Sequence, residues 1–215
     1  MKKSNKDDSM NIEKIIEKIK NRSPKPMDIK RKYAVLIPII EKDDKLEIIY
    51  EMRAKDLITQ PGEISFPGGE VENNETYEAA AIRETMEELN IKRENINVIG
   101  ELDYLVSYAN ITIHCFVATV SGVNVDNIVP NPDEVDHIFT VPLDFFLNTE
   151  PDTYYLDLKT VLSDEFPYNL IPNGKEYNWR IGKHSVMFYH FEDYIIWGFT
   201  ARMTKELINT IKDLK

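Results

Sequence analysis

The sequence has little cysteine, no long apolar run and, over most of its length, a shortage of positive charge. Its single cysteine, Cys115, excludes an internal disulfide and any zinc site built from several cysteines. Because Cys115 lies in the apolar run ITIHCFVATV, we expect a buried structural thiol rather than a nucleophile. No segment approaches the roughly 20 consecutive apolar residues of a membrane-spanning helix, and the start lacks the apolar run of a signal peptide. The sequence therefore predicts a cytoplasmic protein with no membrane partner.

The net charge of −11 is spread unevenly over the 215 residues. Residues 1–32 hold eleven Lys and Arg against five Asp and Glu, which leaves a charge near −17 on the rest of the chain. A body this acidic repels nucleic acid and, without help, any phosphate-bearing ligand. We therefore expect no nucleic-acid partner, and we expect divalent cations to take part if the substrate is a phosphate ester.

Apolar and turn residues alternate in a way that predicts mixed strands with two or three helices, and hence an α+β fold built as an α/β/α sandwich. Residues 1–32 are predicted to form a polar leader and a short amphipathic helix, and residues 33–215 one domain. The helix is expected to pack on the domain or on a partner subunit, with binding to a membrane surface as a minor alternative. The aromatic-rich segment 152–191 is compatible with a lid or wall for a ligand, and equally with core and dimer surface. The predicted strands lie in KYAVLIPII, KLEIIYEMR, EISFPGG, INVIGELDYLVS, ITIHCFVATV and DEVDHIFTVPL, and the predicted helices in residues 75–89, in LDFFLN and at the C-terminal end.

The stretch GGEVENNETYEAAAIRETMEELNI, residues 68–91, contains seven glutamates and one basic residue, Arg83. At about 100° per residue, Glu84, Glu87 and Glu88 fall within about 100° of one helix face. Like charges at these spacings destabilise an isolated helix, whereas clustered carboxylates are ligands that Mg²⁺ or Mn²⁺ prefers. From the helix alone, both a solvated acidic face and a metal site fit the pattern.

The surroundings of these carboxylates favour the metal site. FPGG predicts a tight loop in which the carbonyl of Gly69 points toward the carboxylates. Ala80 and Ala81, one turn earlier on the same face, are expected to leave space for a ligand. At the far end Asn90 is expected to end the helix in the left-handed conformation. The side expected to dock on a sheet carries Ala79, Ile82, Met86 and Leu89.

Residues 69–91 resemble the Nudix box, Gly-x5-Glu-x7-Arg-Glu-U-x-Glu-Glu-x-Gly-U with U a bulky apolar residue. Thr85 and Asn90 depart from the pattern at positions that do not carry the chemistry. The resemblance implies a Nudix fold, with a mixed β-sheet between helices, and hydrolysis of a nucleoside diphosphate linked to another moiety with Mg²⁺ or Mn²⁺. The positions in register are Gly69, Glu75, Arg83, Glu84, Glu87, Glu88 and Ile91.

Carried onto this chain, the resemblance implies a role for each matching residue. The metal ligands would be Glu84, Glu87, Glu88 and the carbonyl of Gly69, and Glu75 would pair with Arg83 to fix the loop against the helix. Two carboxylates are candidates for the catalytic base. They are Glu87 within the helix and Glu134 downstream, which is also a candidate ligand at a second site.

The segment RAKDLITQPGEISFPGG, residues 53–69, resembles the signature that precedes the Nudix box in coenzyme A pyrophosphatases. Ile58 stands where that signature has its second arginine. The resemblance implies a coenzyme A-type substrate, cleaved to 4′-phosphopantetheine and 3′,5′-ADP. Two alternatives stay open, namely a Nudix pyrophosphatase for ADP-ribose or a nucleotide sugar, and a nucleotide-sensing Nudix module without turnover; a homodimer is also left open. The implied substrate-binding residues are Arg53, Gly62, Phe66 and Gly68.

Overall fold

The structure is a computed structural model that describes residues 11–212. The first ten residues of the predicted polar leader lie outside the described residues, and the division into 1–32 and 33–215 stays a prediction. Four helices are described, α1 (Ile12–Lys20), α2 (Tyr77–Leu89), α3 (Leu143–Asn148) and α4 (Gly198–Ile211).

The central element is a mixed sheet of eight strands. β1 and β7 run parallel, and the other pairings in the sheet are antiparallel. The order is β3-β2-β1-β7-β5, with β4 paired to β1, β6 to β7 and β8 to β2. The strands are β1 (Arg31–Lys42), β2 (Lys45–Arg53), β3 (Ile64–Ser65), β4 (Gly68–Glu70), β5 (Ile96–Glu101), β6 (Leu105–Ser107), β7 (Ile111–Val120) and β8 (Val135–Pro142).

Alternating side chains of this sheet form two cores, one on each face. In β2, Ile48 and Tyr50 belong to one core and Ile49 to the other, as the two-residue period of a strand requires. The core around Ile49 packs against α2, and the opposite core packs against α3 and α4. This arrangement confirms the predicted α+β fold with a mixed sheet between helices.

A second, three-stranded sheet arises from the aromatic-rich segment. It contains β9 (Asp152–Leu158), β10 (Gly182–Phe191) and β11 (Tyr194–Trp197), in the order β11-β10-β9. Tyr189 and Ile196 of this sheet are buried in the core beside α3 and α4. In β9, by contrast, Tyr154 and Tyr155 are exposed. The segment is thus partly core, as one of the two predictions for it required.

Two further predictions have different outcomes. Cys115 is buried, with 1% of its surface exposed, and burial raises the pKa of its thiol to about 12, as expected of a structural cysteine.

The amphipathic helix α1 forms, but it buries none of its residues within the described chain. The prediction that this helix packs on the domain is therefore wrong for the described residues. Packing on a partner subunit stays a prediction.

The two glycines of FPGG lie in a strand rather than in the predicted tight loop, and the chain bends at Pro67 just before them. Gly68 and Gly69 in β4 pair with Val35 and Ala34 of β1. This pairing requires glycine, because a Cβ atom on Gly68 would lie 2.4 Å from the backbone oxygen of Ala34. β4 therefore belongs to the sheet, and its two glycines lie next to α2.

Replacing Gly68 by alanine is therefore expected to destabilise the fold. The added methyl would meet backbone atoms of β1 that cannot move without breaking the pairing, so we expect a loss of about 1–3 kcal/mol in the free energy of unfolding. Gly100→Ala is the matched control, since nothing lies within 4 Å of a Cβ there. Urea denaturation of both variants measures the difference, and equal midpoints would contradict the packing at β4.

Candidate active site

Helix α2 is held by the caps that its sequence provides. The side chain of Thr76 accepts a hydrogen bond from the backbone N–H of Ala79, so the helix begins at Tyr77 rather than at Glu75. At the other end Asn90 adopts the left-handed conformation, with φ of 49°, which confirms the predicted stop. These caps fix the position of the carboxylates along the helix.

The face of α2 that packs on the sheet is wider than the predicted one. Ile82 and Leu89 are buried in the core, as predicted. Ala80 and Ala81 were expected to leave space for a ligand, but both are fully buried in the core. Their small side chains let the helix approach the sheet closely, and this draws Glu88, on the same side, to 2% exposure. Glu88 is consequently turned toward the sheet, whereas Ala79, which was expected to dock, is exposed.

Three of the predicted site carboxylates come together beneath α2. Carboxylate oxygens of Glu84, Glu88 and Glu134 lie within 4.8 Å of one another. Glu134 precedes β8, and its loop is tied to the end of α2 by the backbone N–H of Asn131, which donates to the Glu88 carbonyl over 2.8 Å. The Asn131 amide also donates to Oε1 of Glu134 over 3.3 Å. We refer to Glu84, Glu88 and Glu134 as the carboxylate cluster.

Strand β4 borders this cluster through its glycines. The backbone N–H of Gly68 donates to Oε2 of Glu88 over 2.8 Å. A Cβ atom on Gly69 would lie 2.3 Å from Oε1 of Glu84, so the Glu84 carboxylate occupies the space that a side chain would need. Glycine at both positions lets the backbone reach the carboxylates.

Arg83 joins the helix to the preceding loop, as the resemblance implies. Its guanidinium donates to both carboxylate oxygens of Glu75, over 3.0 and 3.1 Å, and to the carbonyl of Glu70. The same group donates to Glu84 over 2.7 Å and to Glu87 over 3.2 Å. Hydrogen bonding to Arg83 lowers the pKa of Glu75, which keeps this brace ionised.

Glu87 lies apart from the carboxylate cluster. Its side chain is 53% exposed, and Arg83 is its ion-pair partner. The helix turns it toward solvent while Glu84 and Glu88 face the sheet. Its assignment as metal ligand and base stays a prediction, as do the roles assigned to the other site residues.

Besides Glu88, a second buried carboxylate, Glu51 in β2, was not anticipated from the sequence. It is fully buried, and its Oε1 accepts a hydrogen bond from the Ser65 hydroxyl over 2.8 Å. Its Oε2 is buried without a hydrogen-bond partner among the described residues. The signal that could have found it is a charged residue at a core-facing position of the apolar strand IIYEM.

Burial and mutual repulsion shift these carboxylates toward their protonated forms. Burial raises the pKa of Glu51 to about 7. Burial, followed by repulsion from Glu51, raises the pKa of Glu88 to about 10, and burial also raises the pKa of Glu84. The folded chain therefore holds more acid groups at this place than it can keep ionised without a cation.

The donor set fits a hard divalent cation. Mg²⁺ and Mn²⁺ take oxygen ligands, and carboxylates supply both the oxygens and the charge. The cluster offers three converging carboxylates, and the unpartnered Oε2 of Glu51 lies on the same face of the sheet. Gly69 keeps the approach to Glu84 free of side-chain atoms.

A cavity of about 770 Å³ adjoins the other side of β4. Gly68 and Gly69 line it, so the same two residues border both the cavity and the carboxylate cluster. Of the remaining predicted substrate residues, Arg53 and Phe66 also line it, while Gly62 lies in a turn with φ of 69°. Leu156, His184 and Val186 of the second sheet form part of its wall.

Two basic residues that were not predicted from the sequence as substrate-binding residues also line the cavity. Lys30 and Arg31, at the start of β1, line it, whereas Ile58 is fully exposed and is not among its lining residues. The backbone N–H of Lys30 donates to the carbonyl of Asn110 over 2.7 Å, which anchors the chain at this edge of the cavity. The cavity thus combines basic groups with an apolar and aromatic wall.

The family model of the NUDIX domain matches residues 30–162. The chain belongs to the Nudix family. The match includes the carboxylate cluster, Glu51 and the glycines of β4, and it ends after β9.

Several Nudix proteins are similar in sequence. The peroxisomal coenzyme A diphosphatase NUDT7 of Mus musculus is 35% identical over 127 residues, which cover 58% of this chain and 51% of that protein. The chloroplastic Nudix hydrolase 22 of Arabidopsis thaliana is 30% identical over 179 residues, which cover 80% of this chain and 53% of that protein. The chain spans about half the length of these two relatives.

Other Nudix proteins match over more of their length. The Nudix hydrolase NudL of Photorhabdus laumondii is 30% identical over 187 residues, which cover 86% of this chain and 87% of that protein. Among solved structures, a MutT/nudix family protein from Enterococcus faecalis superposes with a TM-score of 0.52 at 13% identity, covering 95% of this chain and 70% of that one. This structural likeness supports the fold alone. Among the described residues of this Nudix chain, no helix is long and apolar enough to cross a membrane.

Proposed function

We propose that the chain is a divalent-cation-dependent Nudix pyrophosphohydrolase that acts on coenzyme A or its derivatives. Water would attack the diphosphate and cleave its phosphoanhydride bond, which yields 4′-phosphopantetheine and 3′,5′-ADP. The observation that carries the proposal is the shared border at β4, where Gly68 and Gly69 separate a cavity of about 770 Å³ from the carboxylate cluster. The likeness to a coenzyme A diphosphatase supports the choice of substrate.

Each part of the site has a task in this reaction. A bound divalent cation, Mg²⁺ or Mn²⁺, supplies neutralisation of the diphosphate charge and a lower pKa for the attacking water. Glu84 and Glu88 hold it, with the backbone of Gly69 beside them. Arg53 lines the cavity, and its Nη2 donates to the Thr59 carbonyl over 3.4 Å. Its Nε is buried without a hydrogen-bond partner in the described chain, so the remaining donors of the guanidinium are available for a phosphate oxygen.

Glu134 is the base that the geometry favours. It lies within the carboxylate cluster, whereas Glu87 is half exposed and paired with Arg83. Asn131 donates to Oε1 of Glu134, which leaves Oε2 to take a proton from water. Glu87→Gln is then expected to retain more activity than Glu134→Gln in a comparison of kcat.

We propose further that Lys30 and Arg31 contact the 3′-phosphate of coenzyme A. They line the cavity, and they supply the positive charge that Ile58 cannot. The double variant Lys30→Ala/Arg31→Ala is expected to raise KM for coenzyme A about tenfold or more, because charge-assisted contacts are lost. Dephospho-coenzyme A, which lacks that phosphate, should keep its KM.

Lys32→Ala is the matched control for this specificity test, since Lys32 is exposed on the same strand and does not line the cavity. Steady-state kinetics give the ratio of KM between variant and wild type for each of the two variants with each of the two substrates. An equal rise of KM for coenzyme A and dephospho-coenzyme A would contradict a contact with the 3′-phosphate.

A substrate panel tests the proposed function itself. The protein is incubated with Mn²⁺ and coenzyme A, ADP-ribose or a nucleotide sugar, and the products are identified by mass spectrometry. We expect 3′,5′-ADP and 4′-phosphopantetheine from coenzyme A. Turnover of another compound without turnover of coenzyme A would assign a different specificity, and binding without any turnover would identify a sensing module.

A further inference from the structure

Glu51 lies outside the Nudix box but faces the same space as its carboxylates. In β2, Ile49 and Glu51 are two residues apart and therefore project from the same face of the sheet. Ile49 packs in the core against α2, so Glu51 is directed beneath the helix that carries Glu84 and Glu88. Repulsion from Glu51 acts on Glu88, and repulsion from Glu84 and Glu134 acts on Glu51.

The hydrogen bonds of Glu51 are incomplete in a way that a purely structural residue does not require. Ser65, its cross-strand partner in β3, donates to Oε1 over 2.8 Å. Oε2 is fully buried and accepts no hydrogen bond from the described residues. A buried carboxylate oxygen without a donor destabilises a fold, and native proteins rarely retain one without a reason.

A structural role would be served better by glutamine. Glutamine keeps the carbonyl oxygen that accepts from Ser65, and its amide group could donate to the neighbouring carboxylates. A negatively charged oxygen at this position adds repulsion to a place that already holds Glu84, Glu88 and Glu134. In its ionised form Glu51 therefore requires a compensating cation.

We propose that Glu51 is a further cation-binding residue of the site, whose free Oε2 supplies negative charge to the divalent cation held by the carboxylate cluster. Ser65 positions the carboxylate by holding Oε1. Ser65 also lines the cavity, so this hydrogen bond connects the substrate space to the cation site. The inference rests on the cation of the proposed function, but not on the identity of the substrate.

The direct test is Mn²⁺ binding to the full chain at pH 8, measured by electron paramagnetic resonance of the free ion. Glu51→Gln is expected to raise the Kd for Mn²⁺ by about ten- to a hundredfold, the range found when groups that support a metal site are removed. Ser65→Ala should raise it less, because the carboxylate is retained and only its orientation is lost.

Glu47→Gln is the matched control. Glu47 lies on the same strand and projects from the same face, about 13 Å away along β2 at the rise of a strand. Its removal deletes the same charge without touching the carboxylate cluster, so we expect Kd within about twofold of wild type. An equal loss in both variants would mean that general charge, and not Oε2 of Glu51, weakens binding.

A second readout separates loss of binding from loss of folding. In EDTA, Glu51→Gln is expected to have a higher Tm than wild type, because the repulsion with Glu88 is gone, and Mn²⁺ should raise its Tm less. A wild-type Kd in Glu51→Gln overturns the inference. Wild-type protein that binds Mn²⁺ but does not cleave coenzyme A overturns the proposed substrate alone, and wild-type protein that binds no Mn²⁺ overturns both.

Discussion

Replacing Glu84 or Glu88 by glutamine is expected to lower kcat for the diphosphate substrate by roughly a thousandfold, more than the ten- to hundredfold typical of groups that only support a metal site. Both side chains belong to the carboxylate cluster, and glutamine keeps their size while removing the charge that a divalent cation needs. In Glu88→Gln the new amide oxygen could still accept from the Gly68 N–H, so the local fold should survive.

Glu78→Gln is the control for this loss of activity. Glu78 lies in the first turn of the same helix and is exposed, so its replacement changes helix charge without changing the site. Initial rates at saturating Mn²⁺ compare the three variants. If Glu84→Gln and Glu88→Gln kept rates close to that of Glu78→Gln, the carboxylate cluster would not be the catalytic centre.

The same Glu88→Gln variant is expected to be more stable than wild type when no cation is bound. The pKa of Glu88 is raised to about 10 by burial and by repulsion from Glu51. A group whose pKa is higher in the folded than in the unfolded state stabilises the fold below the unfolded pKa, near 4.3, and this contribution is lost as pH rises toward the folded value. At pH 8 we expect Glu88→Gln to gain a few kcal/mol in free energy of unfolding.

Urea denaturation in EDTA between pH 5 and pH 9 measures this gain. The difference between variant and wild type should be small at pH 5 and grow with pH, because Glu88 of the wild type ionises in the unfolded state while burial keeps it protonated in the fold. Saturating Mn²⁺ should reverse the order, since binding to the folded state stabilises wild type by mass action. A pH-independent difference would mean that the variant acts through packing and not through the charge of Glu88.

The local features of the site followed from the sequence. The helical spacing of Glu84 and Glu88, the stop at Asn90 and the pairing of Glu75 with Arg83 depend on residues within one turn or one loop of each other. The mixed sheet was also predictable, since alternating apolar residues marked its strands. Neighbours in sequence determine the helix features and the position of each strand, whereas the pairing of the strands depends on distant segments.

Features that depend on distant segments were missed. The burial of Ala80 and Ala81 beside Ile82 and Leu89 depends on contacts with the sheet, and a helical wheel does not show how wide a face the sheet covers. Pairing with β1 placed the two glycines of FPGG in β4, and the position of α2 over β2 made Glu51 a neighbour of Glu88. Lys30 and Arg31 reach the cavity wall because β1 begins beside the second sheet, which the sequence left unassigned.

The central claim is that the carboxylate cluster holds the divalent cation on which hydrolysis depends. A crystal of the protein grown with Mn²⁺, with data recorded at a wavelength where manganese scatters anomalously, tests it most directly. We expect an anomalous peak at the carboxylate cluster, at about 2.1 Å from carboxylate oxygens of Glu84 and Glu88, the distance of a tightly bound hard cation, with Glu134 beside it. A peak elsewhere on the chain, with none at the cluster, would contradict this assignment.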